Sequence, residues 1–236
     1  MCGRYVSPTQ AEMERYWELT EAQIRNPIGQ LLCASPTAIV PMLRLSDAGL
    51  EEVAARWGLI PIWWKEAKPP RNTFNARSEE AGTKAMWRIP ASKARCLVPA
   101  MGWYEWKEVE RIDPSTGEAT KAKQPFFMRR PDREPIAFAG LMSRRTVEGD
   151  KTEFTCTILT RDAVGLAAQI HTRMPIALPK DAEAAWLDPE LTDPAAMVQF
   201  AREESITEFV LHAVNPRVNN TKSEGAELIA PFENPA

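Results

Sequence analysis

Histidine and paired cysteine are scarce in this sequence. There are only two histidines, His171 and His212, and four cysteines, Cys2, Cys33, Cys96 and Cys156, none in a CxxC pair. A zinc site would have to be assembled from scattered ligands, so no metal and no other cofactor is expected. No disulfide framework is expected either, because no secretion signal accompanies the cysteines. Long apolar runs are also missing. Nothing approaches the roughly 20 residues a membrane-spanning helix needs, and Met1-Cys2-Gly3-Arg4-Tyr5 lacks a signal peptide's apolar stretch. The expectation is a cytoplasmic monomer without a membrane partner. An excess of positive charge is absent as well. Twenty-nine Lys and Arg stand against 32 Asp and Glu, a net charge of −3. That gives no support to a generally basic nucleic-acid binder but leaves room for a local basic groove.

What is present is ordinary for a folded domain. The chain has 236 residues, 44% hydrophobic and 26% charged, enough to bury a full core. Ser7 with Pro8 and Gln10 reads as a capping box opening a first helix, whose apolar side is Met13, Tyr16, Trp17 and Ile24. Ala38–Leu45 reads as a strand interrupted by Pro41, and Val53–Leu59 as another. The prolines of Ile60–Arg71 make that stretch a loop. Cys96–Val98, Ile136–Leu141, Phe154–Thr160 and Phe209–Val214 read as strands. Gly102–Val109 and Gln124–Arg129 read as a hairpin with a long tip at Asp113–Gly117. Asp193-Pro194 opens a helix through about Glu204, with Met197, Phe200 and Ala201 inward. These elements predict one α+β domain over residues 2–232, a curved, mostly antiparallel, barrel-like sheet with peripheral helices.

Cys2 is the most informative residue. Loss of Met1 would leave an α-amine and a thiol two carbons apart, both with ordinary pKa values near 8. Such a pair can attack one aldehyde in sequence. The amine forms an imine and the sulfur then closes a five-membered thiazolidine. A small buried core cysteine is the plainer alternative. Gly3 permits close backbone approach, and Arg4 would place a guanidinium beside the thiol for an anion or phosphate.

Further blocks follow: Ala34-Ser35-Pro36-Thr37, Arg56-Trp57-Gly58-Leu59-Ile60-Pro61, Phe74-Asn75-Ala76-Arg77-Ser78-Glu79, Arg95-Cys96-Leu97-Val98-Pro99-Ala100-Met101-Gly102-Trp103-Tyr104-Glu105-Trp106, Thr157-Ile158-Leu159-Thr160, Ile170-His171-Thr172-Arg173-Met174-Pro175 and, more loosely, Val214-Asn215 to Glu227-Leu228-Ile229. In this order they resemble the SRAP family, the SOS-response-associated peptidase-like proteins that process abasic sites. The resemblance implies recognition of abasic sites in single-stranded DNA. It implies a thiazolidine crosslink through Cys2 that shields the lesion, with lyase activity and self-removal of Met1 as related chemistry. On the DNA the protein would associate with the nucleoid.

The resemblance assigns catalysis to Cys2, Asn75, Glu105 and His171. Asn75 can orient the N-terminal amine; a turn asparagine is the alternative. Glu105, between Tyr104 and Trp106, is expected to be desolvated, raised in pKa and used for proton transfer; an outward strand glutamate is the alternative. His171 would open the sugar ring or contact the flanking phosphate, where a structural histidine is the plainer reading. His212 is read as structural. Arg77 suits a DNA phosphate, against a surface ion pair with Glu79 or Glu80. Trp63, Trp64 and Trp106 are candidates for base stacking. Pro41-Met42 is expected to be exposed as a wedge, Thr160 to touch the lesion, and Trp57 and Trp103 to be core. Two competing functions remain at this level. One is an N-terminal-nucleophile amidohydrolase, since glutamine amidotransferases also begin Met-Cys-Gly. The other is a noncovalent single-strand binder with inert Cys2.

Overall fold

The computed structural model describes residues 2–66, 68–112, 115, 117–147 and 151–232. The strand β1 (Tyr5–Val6) leads into α1 (Gln10–Trp17). There follow β2 (Ile39–Ser46), β3 (Gly49–Trp57), β4 (Asn75–Arg77), α2 (Ser78–Ala81), α3 (Ala85–Lys93), β5 (Arg95–Ala100), β6 (Gly102–Ile112), β7 (Ala119–Arg129), β8 (Ile136–Val147) and β9 (Lys151–Asp162). The chain ends with β10 (Arg173–Pro175), β11 (Ala177–Leu178), α4 (Glu183–Leu187), α5 (Pro194–Glu203) and β12 (Val210–Ala213). No helix among the described residues is long and apolar enough to cross a membrane.

The larger sheet closes on itself. Its order is β9-β3-β2-β5-β8, and β8 pairs back onto β9 from Val147↔Lys151 to Gly140↔Ile158. Closure is possible because β9 is long enough to serve several partners in turn: β8 and then β10 along one edge, β3 and then β4 along the other. Most pairs are antiparallel, but β3 and β4 run parallel to β9. Strand alternation sorts the side chains. Val40, Met42, Ala55, Trp57, Cys96, Val98, Phe138, Cys156 and Ile158 pack together on one side. Leu43, Leu97, Ala139, Leu141 and Leu159 form a second cluster with residues of α3, α4 and α5. The barrel strands are therefore buried on both faces, which is why they read as near-continuous apolar runs. A separate sheet, β1-β6-β7-β12, lies beside the barrel.

The structure moves several boundaries. The first helix is capped by Thr9, which accepts the Glu12 N–H while the Glu12 carboxylate returns to the Thr9 N–H at 2.7 Å. Ser7 is buried instead, its Oγ accepting the Leu31 N–H at 2.8 Å. Ile24 leaves this helix and bridges Glu52. β2 runs unbroken through Pro41, because its partner on the β5 side begins only at Leu43↔Leu97 and no ladder bond is lost there. β3 starts at Gly49 and stops at Trp57, where Gly58 adopts φ 142. The hairpin β6–β7 is longer at both arms than its sequence pattern shows, pairing as far as Ile112↔Ala119. Of its tip, Asp113, Pro114 and Thr116 lie outside the described residues. The helix capped by Asp193 forms as expected, with Met197 and Ala201 buried. Trp57 and Trp103 are core.

Pro41 and Met42 are not an exposed wedge. Both are buried on β2, and Met42 is wholly inside the barrel cluster, because the pleat turns it away from solvent. Met42→Ala is accordingly expected to lower stability by about 2–5 kcal/mol in urea denaturation, the range for core truncations. A wedge role would instead leave stability unchanged.

Candidate active site

The site begins where β1 docks on β6. Tyr5 pairs with Trp103, and the Tyr104 N–H donates to the Arg4 carbonyl at 2.9 Å. This antiparallel register carries the chain start back along β6 toward Glu105. Gly102, the partner of Val6, lets β6 pack closely on β7: a Cβ there would lie 2.3 Å from the Met128 carbonyl and 2.6 Å from the Phe127 ring. From the barrel side, β4 is held on β9 by Asn75↔Ile158 and Arg77↔Thr160. The Asn75 amide donates to the Cys2 carbonyl at 2.7 Å, across 73 residues of sequence. Its Oδ1 is buried with no hydrogen-bond partner among the described residues. Cys2, Asn75 and Glu105 thus form one buried group.

Burial and the neighbouring Glu105 charge push the Cys2 thiol far above its usual range. The sulfur rests protonated, its S–H directed at the Arg4 carbonyl 4.0 Å away. Burial also raises the Glu105 carboxyl to about 7. Its flanking residues are not the cause in the way the sequence implies. Alternation puts Tyr104 and Trp106 in the cluster on the other face of β6, whereas Cys2 and Trp103 pack in the barrel cluster. A buried carboxyl poised near neutrality can both accept and release a proton.

His171 joins through Arg173. Its Nδ1 lies 2.9 Å from the Arg173 nitrogen and 3.2 Å from the Arg173 carbonyl; accepting from the N–H leaves the neutral ring's proton on Nε2. Burial holds the imidazole below its ordinary pKa, and the Arg173 charge adds to that. Arg173 itself was not anticipated. Its guanidinium spans Glu79 at 3.0 and 2.9 Å, Asp162 at 2.6 Å and the Thr160 carbonyl at 2.8 Å. This clamp ties the His171 segment to α2 and β9. Its place in the Ile170–Pro175 block is its one signal in the sequence, since Glu79 lies 94 positions away. Thr160 is fully buried, its hydroxyl 3.4 Å from the Ala76 carbonyl, so its position in the sheet holds β4 rather than facing outward.

The basic residues separate. The Arg4 guanidinium is not beside Cys2. It reaches the Cys33 sulfur at 3.2 Å and the Val218 carbonyl at 2.8 Å, so its donors hold the C-terminal segment. Arg77 is exposed, and both acids nearby in sequence are taken: Glu79 by Arg173, Glu80 by Lys84 at 2.7 Å. Among the described residues Arg77 has no acidic partner. A cleft of about 360 Å³ is lined by Pro36, Thr37, Arg56, Asn72 and Phe74. Trp63, 48% exposed, lines a different cleft against Met86 and Ile89 of α3, with Trp64 beside it at 6.0 Å between ring centroids. Trp106 is half-buried on the opposite face from Glu105, its indole N–H donating to Asn219 at 2.6 Å. His212 is structural, its Nε2 bonded to the Ile229 carbonyl at 2.8 Å. No group of three or more His, Cys, Asp or Glu among the described residues can hold a metal ion.

The family model for SOS response associated peptidase (SRAP) matches residues 1–221. The chain is 32% identical to the abasic site processing protein YedK of Escherichia coli, over 98% of this chain and all of that protein. It is 37% identical to the abasic site processing protein YoqW of Bacillus subtilis, over 74% of each. A solved phage-related protein of Bordetella bronchiseptica is similar in fold, with TM-score 0.67 and 27% identity over 90% of this chain and 94% of that one. The chain belongs to the SOS response associated peptidase family.

Proposed function

We propose that this protein processes abasic sites in single-stranded DNA by capturing them covalently on Cys2. The observation that carries the reading is the Asn75–Cys2 hydrogen bond with a near-neutral Glu105 beside it. The relatives named abasic site processing proteins support it. Met1 must first leave, making the Cys2 nitrogen an amine. That amine adds to the C1′ aldehyde of the ring-opened sugar, and loss of one water gives an imine. The Cys2 sulfur then bonds to the imine carbon, and its proton passes to the nitrogen, closing the thiazolidine. A thiol held this high in pKa needs help at that step. Glu105 accepts the thiol proton and returns one to nitrogen. The cationic imine, forming beside the sulfur, lowers the cost of the thiolate. His171, protonated on Nε2, donates to the sugar oxygen during ring opening.

Three measurements follow. Intact mass spectrometry of the purified chain is expected to show loss of Met1. After incubation with an abasic oligonucleotide, an adduct equal to protein plus DNA minus one water is expected. An adduct on a chain that keeps Met1 would refute the amine step. Arg77→Ala is expected to weaken binding to single-stranded DNA of any sequence and reduce the salt slope by about 0.7, one phosphate contact's worth. An unchanged slope in a fluorescence-anisotropy salt titration would remove Arg77 from the interface.

A further inference from the structure

A cavity of about 400 Å³ lies away from the Cys2 group. Val6 and Phe127 in its wall belong to the cluster on the opposite face of the β1-β6-β7-β12 sheet from Cys2 and Trp103. Val6, Met101, Phe127 and Ile229 give it apolar walls. The described C-terminal segment closes one side. It is fixed there by the His212–Ile229 bond at 2.8 Å and by the Phe232 N–H donating to the Ala213 carbonyl at 2.8 Å. The wall is therefore in place before anything binds.

The charges lining this cavity do not balance. Arg129 and Arg133 both contribute to it, and neither has an acidic partner among the described residues. Arg129 is steadied by the Arg130 and Pro131 carbonyls at 2.8 and 3.3 Å. Arg133 is presented by a turn in which it adopts φ 63. One carboxylate, Glu12, also lines the cavity, and its Oε2 already accepts from Thr9 at 2.7 and 2.8 Å. We propose that this cavity binds a small apolar monocarboxylate, its hydrocarbon or ring against Phe127 and Met101 and its acid on Arg129 and Arg133. Guanidinium forks match a carboxylate, and cavities of this size with apolar walls and few charges are typical of small-ligand sites. A dianion fits worse, because its second charge would meet the Glu12 carboxylate.

The probes are 4-phenylbutyrate and its uncharged counterpart 4-phenyl-1-butanol, followed through the Met101 and Val6 methyl signals by NMR. Saturable shifts at those methyls are expected with the acid, at an affinity about 10-fold above the alcohol's. Arg133→Gln, at an exposed position, is expected to abolish that preference while leaving adduct formation on abasic DNA unchanged. N-acetylphenylalanine, set against its amide, distinguishes the source of the acid: shifts with it extend the site to a peptide's carboxyl end, and their absence confines it to free acids. No saturable shift, equal affinity of acid and alcohol, or undiminished acid binding in both Arg129→Gln and Arg133→Gln would overturn the assignment. None of the binding readouts depends on the Cys2 chemistry.

Discussion

Cys2→Ala is expected to reduce the heat-stable adduct with abasic single-stranded DNA to the background seen without protein. Denaturing electrophoresis of chains released from a tag directly before residue 2 makes the comparison fair, since wild type and variant then share a free amine. The variant keeps the nitrogen nucleophile, so it still forms the imine. With no sulfur to trap it, that imine is open to β-elimination, and strand cutting is expected to exceed that of wild type. Two outcomes sink the reading: equal adduct yield, which removes the thiol, or equal cutting, which removes the trapping step. The sulfur is buried and held as a thiol in the resting chain. On the proposed reading its reactivity is confined to the moment an imine forms beside it.

Glu105→Gln is expected to slow adduct formation by about 10²–10⁴-fold, the contribution of a positioned general acid–base group. Glutamine keeps the shape but cannot move a proton. The wild-type rate is expected to bend near pH 7, where the buried carboxyl titrates, and the variant's profile to lose that bend. A variant that crosslinks at the wild-type rate would exclude the proton-transfer role. The same substitution has a stability signature of defined sign. The folded-state pKa of about 7 lies above the ordinary 4.5, so between those values the folded chain keeps a proton that the unfolded chain has released. Wild-type stability therefore falls as pH rises through that window. Glu105→Gln escapes the loss. Its advantage over wild type is expected to grow from near zero at pH 4.5 toward about 3 kcal/mol above pH 7, read by urea denaturation across that range. An outward, solvated glutamate would give no such trend.

The site was legible in the sequence to the extent that its residues fall in recognisable blocks. Cys2, Asn75, Glu105 and His171 were all singled out, and the structure brings the first three together, with His171 joined through Arg173 and β9. Arg4 and Trp106 mislead because neighbours in sequence are not neighbours in space. Arg4 follows Cys2 by two residues, yet its long side chain reaches the Pro216–Asn219 turn. Trp106 adjoins Glu105 but faces the other way. Pro41 looked like a strand breaker because proline lacks an N–H, and only the pairing on both sides of β2 shows that none was needed there.

The sequence by itself determined the chemistry available: a cysteine one residue from the chain start, a glutamate on a strand, and the alternation and turn residues that make the β6–β7 hairpin. Those are local properties, fixed by residue type and by the two-residue period of a strand. The tertiary structure alone decided which faces meet. Asn75 reaches Cys2 because β4 lies parallel to β9 while β1 docks on β6, and Glu105 is desolvated because that docking covers its face. Pairings between distant strands depend on the closure of the whole sheet, and no local pattern of residues encodes that closure.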